Sequence, residues 1–261
     1  MLAPLVALAL VSVSYKLPTE PLAYSMKVDF EGYLPILGGQ EDALANVSMG
    51  FKVTGLAADG EGNPQAANEL TAFELKFGGA PMPFDVESVK AYFPKNTISY
   101  TALGKIVKND APDIALPVRL PGLDVKRIPD ITFMPIQFPD GGIEVGKAFE
   151  YTKKFGDSDV AYVVTPNALE GNTLKLDVKM KQTYETMEDE AKNVTAKPED
   201  AFSKVTTTVE GTGLVTFDVE KGIVVESTVT ADATSKATEI KSGKSSDRKL
   251  KTKLWVGLAK S

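Results

Sequence analysis

Residues 211–236 read GTGLVTFDVEKGIVVESTVTADATSK, and their alternation of apolar and polar residues predicts two β-strands joined by a turn. Val215, Phe217 and Val219 fall at every second position, which places them on one face of the first strand. In the turn, Gly222 can adopt the left-handed conformation that a bulged three-residue hairpin loop requires. One face of the return strand is expected to carry Val225, Ser227, Val229, Ala231 and Ala233.

The return strand is also unusually long. If residues 223–235 stay extended, they span about 40 Å at roughly 3.3 Å per residue, which suggests a tall, curled sheet. The residues expected to point inward shrink from valine to alanine along the strand. A tapering or tightly curved interior requires such a change in size.

The same period of two recurs along the chain. In residues 174–181, four apolar side chains alternate with four charged ones. Similar alternation occurs in residues 24–30, 47–53, 73–77 and 249–258. Strands with one apolar and one polar face are typical of antiparallel sheets. The sequence therefore predicts a mainly β protein, built from two curled antiparallel β-sheet modules that are half-barrel or sandwich-like.

A proline-rich stretch divides the chain. Six prolines fall between residues 110 and 142, too densely for a strand to keep its hydrogen-bond ladder. We therefore expect an N-terminal β-module over 15–110, a connector packed against the sheets over 111–145, and a C-terminal β-module over 146–261. The two modules share an order of strand types, which indicates either a duplication or chance similarity between amphipathic strands. The one helix predicted is short and lies around residues 198–203.

The first residues predict export. Residues 1–11 form an apolar run too short to span a bilayer, and the small residues Ser12 and Ser14 follow it. Residues 1–14 are therefore a candidate signal peptide, and the mature chain is expected to be periplasmic or extracellular. The alternatives are a buried first strand or a misassigned start codon, since no basic residue precedes Lys16.

The composition excludes several kinds of chemistry. The 261 residues include no cysteine and no histidine, so a disulfide, a thiolate nucleophile, a Cys/His zinc site and an imidazole base are all impossible. The net charge of −6 argues against nucleic acid as a partner. No segment predicts a transmembrane span.

Three short motifs suggest chemistry, and each is interpreted as ordinary surface structure. The SGKSS of residues 242–246 lacks the earlier glycine of a phosphate loop. Residues 59–63 space oxygen ligands as a calcium loop does, but Pro64 and Leu70 stand where that loop needs glycine and glutamate. The acidic residues 188–190 are interpreted as a solvated charge run. The sequence therefore predicts no catalytic residue, no cofactor and no metal site.

Apolar ligand binding is the function that the sequence permits. A curled sheet with one dry face either fills its concave side with its own side chains or leaves it open to a hydrophobic ligand. The aromatic residues expected on that face are Phe51, Phe73, Phe77, Phe149, Tyr151, Phe217 and Trp255. Ordinary core packing is the alternative interpretation of the same residues.

The hairpin motif G-x-G-x-x-x-F-D-x-x-x-G resembles that of uncharacterised families of exported bacterial β-rich proteins with a leader and two β-modules. Its residues in this chain are Gly211, Gly213, Phe217, Asp218 and Gly222. The resemblance implies an exported cell-envelope protein and no established activity. The expected role is non-enzymatic binding, of an apolar ligand or of another envelope protein. The alternatives are a structural or surface-interaction module with a closed core, and an enzyme that uses Ser/Thr/Lys or carboxylate chemistry.

Overall fold

The computed structural model describes residues 10–34, 39–112, 123, 125–155, 158–195 and 197–259. Strands make up 61% of the chain and helices 6%, so the prediction of a mainly β protein is confirmed. Among the described residues, no helix has both the length and the apolar character needed to cross a membrane.

The strands are numbered in chain order. The first six are β1 (Leu22–Leu34), β2 (Gln40–Leu56), β3 (Gln65–Phe77), β4 (Ala80–Pro81), β5 (Asn96–Tyr100) and β6 (Ile106–Asn109). The others are β7 (Phe149–Phe155), β8 (Ser158–Glu170), β9 (Thr173–Glu188), β10 (Val194–Thr195), β11 (Ser203–Asp218), β12 (Ile223–Glu239) and β13 (Ser245–Leu258). Four short helical segments accompany them: α1 (Val86–Val89), α2 (Ile128–Ile131) and 3-10 turns at Val125–Arg127 and Pro198–Asp200. The last of these falls where the sequence predicts a short helix.

All thirteen strands belong to one antiparallel sheet that is not closed. Its main order is β6-β5-β3-β2-β1-β13-β12-β11-β9-β8-β7, with β4 paired to β3 and β10 to β9. The strands of the two predicted modules therefore lie side by side in a single sheet, joined where β1 pairs with β13. Whether the halves arose by duplication stays a hypothesis. Residues at and beside both edges, among them Ile106 and Phe155, line one cavity, so the sheet curls until its edges face each other.

The hairpin predicted from residues 211–236 is formed by β11 and β12. Gly222 has a φ of +67°, and its N–H donates to the Asp218 carbonyl oxygen at 2.8 Å. A bulge at Phe217 pairs that residue with Val224, so Val224 is buried and Val225 is exposed. This corrects the expected face at Val225, because the bulge shifts the alternation by one residue. From Ser227 to Ala233 the predicted inward positions are buried or half-buried, while Thr228, Asp232 and Thr234 between and beside them are exposed.

The described part of the proline-rich segment packs across the concave face. We call residues 125–143 the plug. Ile128, Phe133 and Ile136 in it are fully buried. The Tyr15 hydroxyl donates to the Ile136 carbonyl oxygen at 3.0 Å, which ties the plug to the N-terminal segment. Residues 113–122 and 124 lie outside the described residues, so the continuous connector over 111–145 stays a prediction.

Residues 11–17 lie between the plug and the sheet. Val11 forms two backbone hydrogen bonds with Ile143, at 2.8 and 3.0 Å, and the N–H of Tyr15 donates to the Ala102 carbonyl oxygen at 2.7 Å. Val13 and Tyr15 are both buried. Cleavage after residue 14 stays a prediction. Val13, before this site, and Tyr15, after it, both belong to the core.

Candidate functional site

Six of the seven aromatic candidates pack within the core or against it. Phe51 and Phe217 are fully buried. Phe217 makes edge-to-face contacts with Tyr15 and Phe138, at centroid distances of 5.2 and 5.1 Å. Phe73, Phe77, Phe149 and Tyr151 are partly buried against the same core. None of these six residues is among those that line the two cavities described below.

Trp255 lies on the other face of the sheet. It sits between Lys27 of β1 and Thr228 of β12, both of which are exposed outer-face residues. Its indole N–H donates to the Glu226 carboxylate at 2.7 Å. This corrects the expectation for Trp255: the neighbouring Val256 faces the core, and adjacent residues of a strand face opposite sides.

The concave face also holds an open cavity of about 1540 Å³. Its apolar wall comes from several strands and from the plug. The wall includes Val28, Leu123, Ile131, Met180, Val205, Val209, Val229, Ala231, Ala233, Leu250 and Leu254. The cavity thus has an aliphatic wall on one part of its lining, while most of its other lining residues are polar or charged.

Small residues lie at the centre of the sheet beside the cavity. Ala231 of β12 pairs with Gly211 on β11 and with Thr252 on β13, so three short side chains lie side by side. A Cβ at Gly211 would lie 2.8 Å from the Met180 side chain, which occupies the space above the glycine. The shrinking of side chains along β12 therefore coincides with an unfilled volume.

The plug forms one wall of the cavity. A second, smaller cavity of about 80 Å³ continues the space beneath the plug. The two volumes share the lining residues Arg127, Asp130, Ile131, Met180, Val229 and Leu254. The combined space therefore narrows from the mouth toward the plug.

Two salt bridges with little solvent exposure border the cavity. Lys153 of β7 lies 2.5 Å from Asp130 of the plug. Arg248 of β13 binds both carboxylate oxygens of Glu188 at 2.8 Å, and its guanidinium lies 4.3 Å from the centre of the Tyr33 ring. Both ion pairs join segments that are distant in sequence.

The position of Glu188 corrects the interpretation of residues 188–190 as a solvated charge run. Glu188 is only 4% exposed, because the inward alternation of β9 continues through it. Asp189 follows in the turn, where its side chain accepts the N–H of Asn193 at 2.8 Å. Glu188 therefore faces inward, although the acidic composition of residues 188–190 predicts a solvated run.

Arg127 stands where the two cavities meet. Its guanidinium carbon lies 3.9 Å from the centre of the Phe155 ring. Its Nε is buried and has no hydrogen-bond partner among the described residues. Nearby, burial raises the pKa of Tyr162 to about 12, and the positive charge of Arg127 partly offsets this rise.

The remaining motifs occupy hairpin turns. The Asp59 side chain accepts the N–H groups of Glu61 and Asn63, each at 2.9 Å, within the turn between β2 and β3. These hydrogen bonds hold the pKa of Asp59 below its usual range. Ser242 and Gly243 lie in the turn between β12 and β13. Both segments thus have a local structural role.

By its fold, the chain is a protein with an open antiparallel β-sheet that curls around a plugged concave face and leaves a large cavity with an aliphatic wall. It matches no protein-family model, and no curated protein is significantly similar to it.

Proposed function

We propose that this protein binds an apolar or amphipathic small molecule in the large cavity, and that it does so as an exported, non-enzymatic protein of the cell envelope. The observation that carries the proposal is the cavity itself. Its volume of about 1540 Å³ exceeds the roughly 300–1,000 Å³ typical of sites for drug-sized ligands. The half-barrel shape expected from the sequence is consistent with this role.

The cavity wall keeps apolar surface in contact with solvent. Val209, Val229, Ala231 and Ala233 point inward, yet each is only partly buried. Covering such surface stabilises a complex by roughly 25 cal/mol for each Å² removed from water. A ligand with a hydrocarbon chain would supply that cover, and a concave patch of this kind is typical of ligand sites.

The polar groups around the cavity favour binding over catalysis. The carboxylates of Asp130 and Glu188 are held by Lys153 and Arg248, so each has a structural partner. With histidine and cysteine absent from the sequence, neither an imidazole base nor a thiolate nucleophile is available there. Export is proposed from the apolar run and small residues within residues 1–14.

Cavity-filling variants test the binding function. The neutral fluorophore N-phenyl-1-naphthylamine should bind the wild-type protein. Ala231→Leu and Ala233→Leu should each weaken that binding at least about tenfold, because the added side chain occupies the apolar space. Ala161→Leu is the matched control, since Ala161 lies exposed on the outer face of β8 and its variant should bind as wild type does.

The outcome also separates the alternatives. Native mass spectrometry of the purified protein should show a co-purifying small molecule that is lost in Ala231→Leu. A protein that neither binds the fluorophore nor carries a ligand would contradict the proposal and favour a structural module. Equal fluorophore binding by wild type and Ala231→Leu would show that the cavity is not the site.

A further inference from the structure

We infer that the ligand is an amphiphile with an anionic head group, a carboxylate or a phosphate, and that Arg127 binds this head group. The inference rests on the proposed binding function and specifies the ligand class. It follows from the charge around the cavity, from the state of Arg127, and from the path of apolar surface that starts at this residue.

The cavity lining is positively charged although the whole chain carries −6. Among the residues that the structure describes, seven cationic and four anionic ones line it, a surplus of three positive charges. The cations are Lys105, Lys126, Arg127, Lys153, Lys154, Arg248 and Lys249, and the anions are Asp130, Asp159, Glu185 and Glu188. A cleft with a surplus of one sign concentrates ligands of the opposite sign.

Most of the anionic residues are already neutralised. Asp130 and Glu188 bind Lys153 and Arg248. Glu185 binds Lys204 at 2.8 Å, and both of these side chains are more than half exposed. Of the four carboxylates, only Asp159 forms no salt bridge among the described residues, and none of the four pairs with Arg127.

Arg127 is the cation best placed to bind an anion. Among the described residues it forms no salt bridge, and its buried Nε lacks a hydrogen-bond partner. Phe155 lies over the guanidinium, whose carbon is 3.9 Å from the ring centre, and this leaves the N–H groups, which point outward within the guanidinium plane, uncovered by the ring. A planar guanidinium can bind a carboxylate or a phosphate through two parallel hydrogen bonds. An unpaired polar group in a partly dry site is unfavourable, so such an anion would remove that cost.

The apolar path away from Arg127 fits a single hydrocarbon chain. Ile131, Met180, Val229 and Leu254 surround the narrow end beside Arg127. Ala231 and Ala233 continue the path along β12 toward Ser235 and Arg248 at the mouth. We therefore place the head group at the plug and the hydrocarbon chain along β12.

Matched probes with one chain length test the inference. The four probes are dodecanoate, dodecyl phosphate, dodecanol and dodecyltrimethylammonium, each measured by displacement of N-phenyl-1-naphthylamine from the full chain. Wild type should bind dodecanoate or dodecyl phosphate roughly ten- to a hundredfold more tightly than dodecanol, as expected for a hydrogen-bonded charged group. Whichever of the two anionic probes gains more affinity relative to dodecanol identifies the head group. The cationic probe should bind no better than dodecanol.

The variant Arg127→Gln should reduce the affinity for the anionic probe to that for dodecanol and leave dodecanol binding unchanged. Lys179→Gln is the control, since it removes one positive charge from an exposed position on the outer face of β9. It should change neither affinity.

These measurements distinguish a failure of the head-group inference from a failure of the proposed binding function. If the fluorophore binds but the four probes bind equally, or Arg127→Gln keeps the preference for the anion, the inference is overturned and the binding function stands. If neither the fluorophore nor any probe binds wild type, the proposed function fails first. If the circular dichroism spectrum shows that Arg127→Gln does not fold as wild type does, the inference is tested instead by the head-group preference of wild type and of Arg127→Lys. Arg127→Lys should keep part of that preference, and no preference in wild type would overturn the inference.

Discussion

Replacing Lys153 with methionine should destabilise the protein by about 3 kcal/mol, because the Asp130 carboxylate would remain buried without its partner. The two side chains are only 9% and 12% exposed, and their charged atoms are 2.5 Å apart. Lys153 also donates to the carbonyl oxygens of Met134 and Pro135 in the plug, at 3.1 and 3.4 Å. Removing one partner of a buried ion pair costs about 3–5 kcal/mol, and the residual exposure places this pair at the lower end.

Lys181→Met provides the matched comparison. Lys181 lies 2.6 Å from Glu210, but both side chains are 64% exposed, so this substitution should cost at most about 1 kcal/mol. Urea unfolding followed by circular dichroism measures both free energies. The double variant Lys153→Met/Asp130→Leu should recover most of the lost stability, because no charge remains buried. A loss in Lys153→Met no larger than that in Lys181→Met would refute the argument that a buried ion pair holds the plug.

Two further predictions concern an ionisation and a glycine. Burial raises the pKa of Tyr162 from 10.0 to about 12, so its contribution to stability is complete below pH 10 and is lost as the pH rises to 12. Tyr162→Phe should make the fall of unfolding free energy over that range shallower by up to about 1.4 kcal/mol per pH unit, and equal slopes in urea titrations would contradict this. Gly222→Ala should lower the thermal unfolding temperature well below that of Gly243→Ala. Both glycines have φ near +70°, but only at Gly222 would a Cβ meet a neighbour, the Lys16 backbone nitrogen at 2.7 Å. Each should incur about 1–2 kcal/mol for the left-handed backbone, so equal losses would show that the Lys16 contact is unimportant.

The strands could be predicted because their signal is local. The alternation in residues 174–181 depends only on which neighbouring side chains are apolar, and β9 contains that segment. By the same rule, Trp255 and its neighbour Val256 face opposite sides of the sheet, so the outward position of Trp255 could be predicted from the sequence. Large aromatic area alone is a poor guide to the concave face, because an exposed strand face also accommodates an indole whose N–H finds a partner.

The cavity could be predicted only in part from the sequence. The change from Val229 to Ala231 and Ala233 indicated a narrowing interior, but it did not reveal which side chains oppose the alanines. That depends on the register of β12 against β11 and β13, which brings Gly211 and Thr252 beside Ala231. The register joins positions that are distant along the chain.

By itself, the sequence determined that this protein is built from antiparallel strands with one dry face, since a period of two is a property of neighbouring residues. It also determined that no imidazole or thiol takes part in its chemistry. Only the tertiary structure decided that β1 and β13 join the two halves into one sheet, that the plug packs across the concave face, and that Arg127 borders the cavity left there. These features depend on contacts between segments far apart in the chain, and such contacts leave no periodic signal in the order of residues.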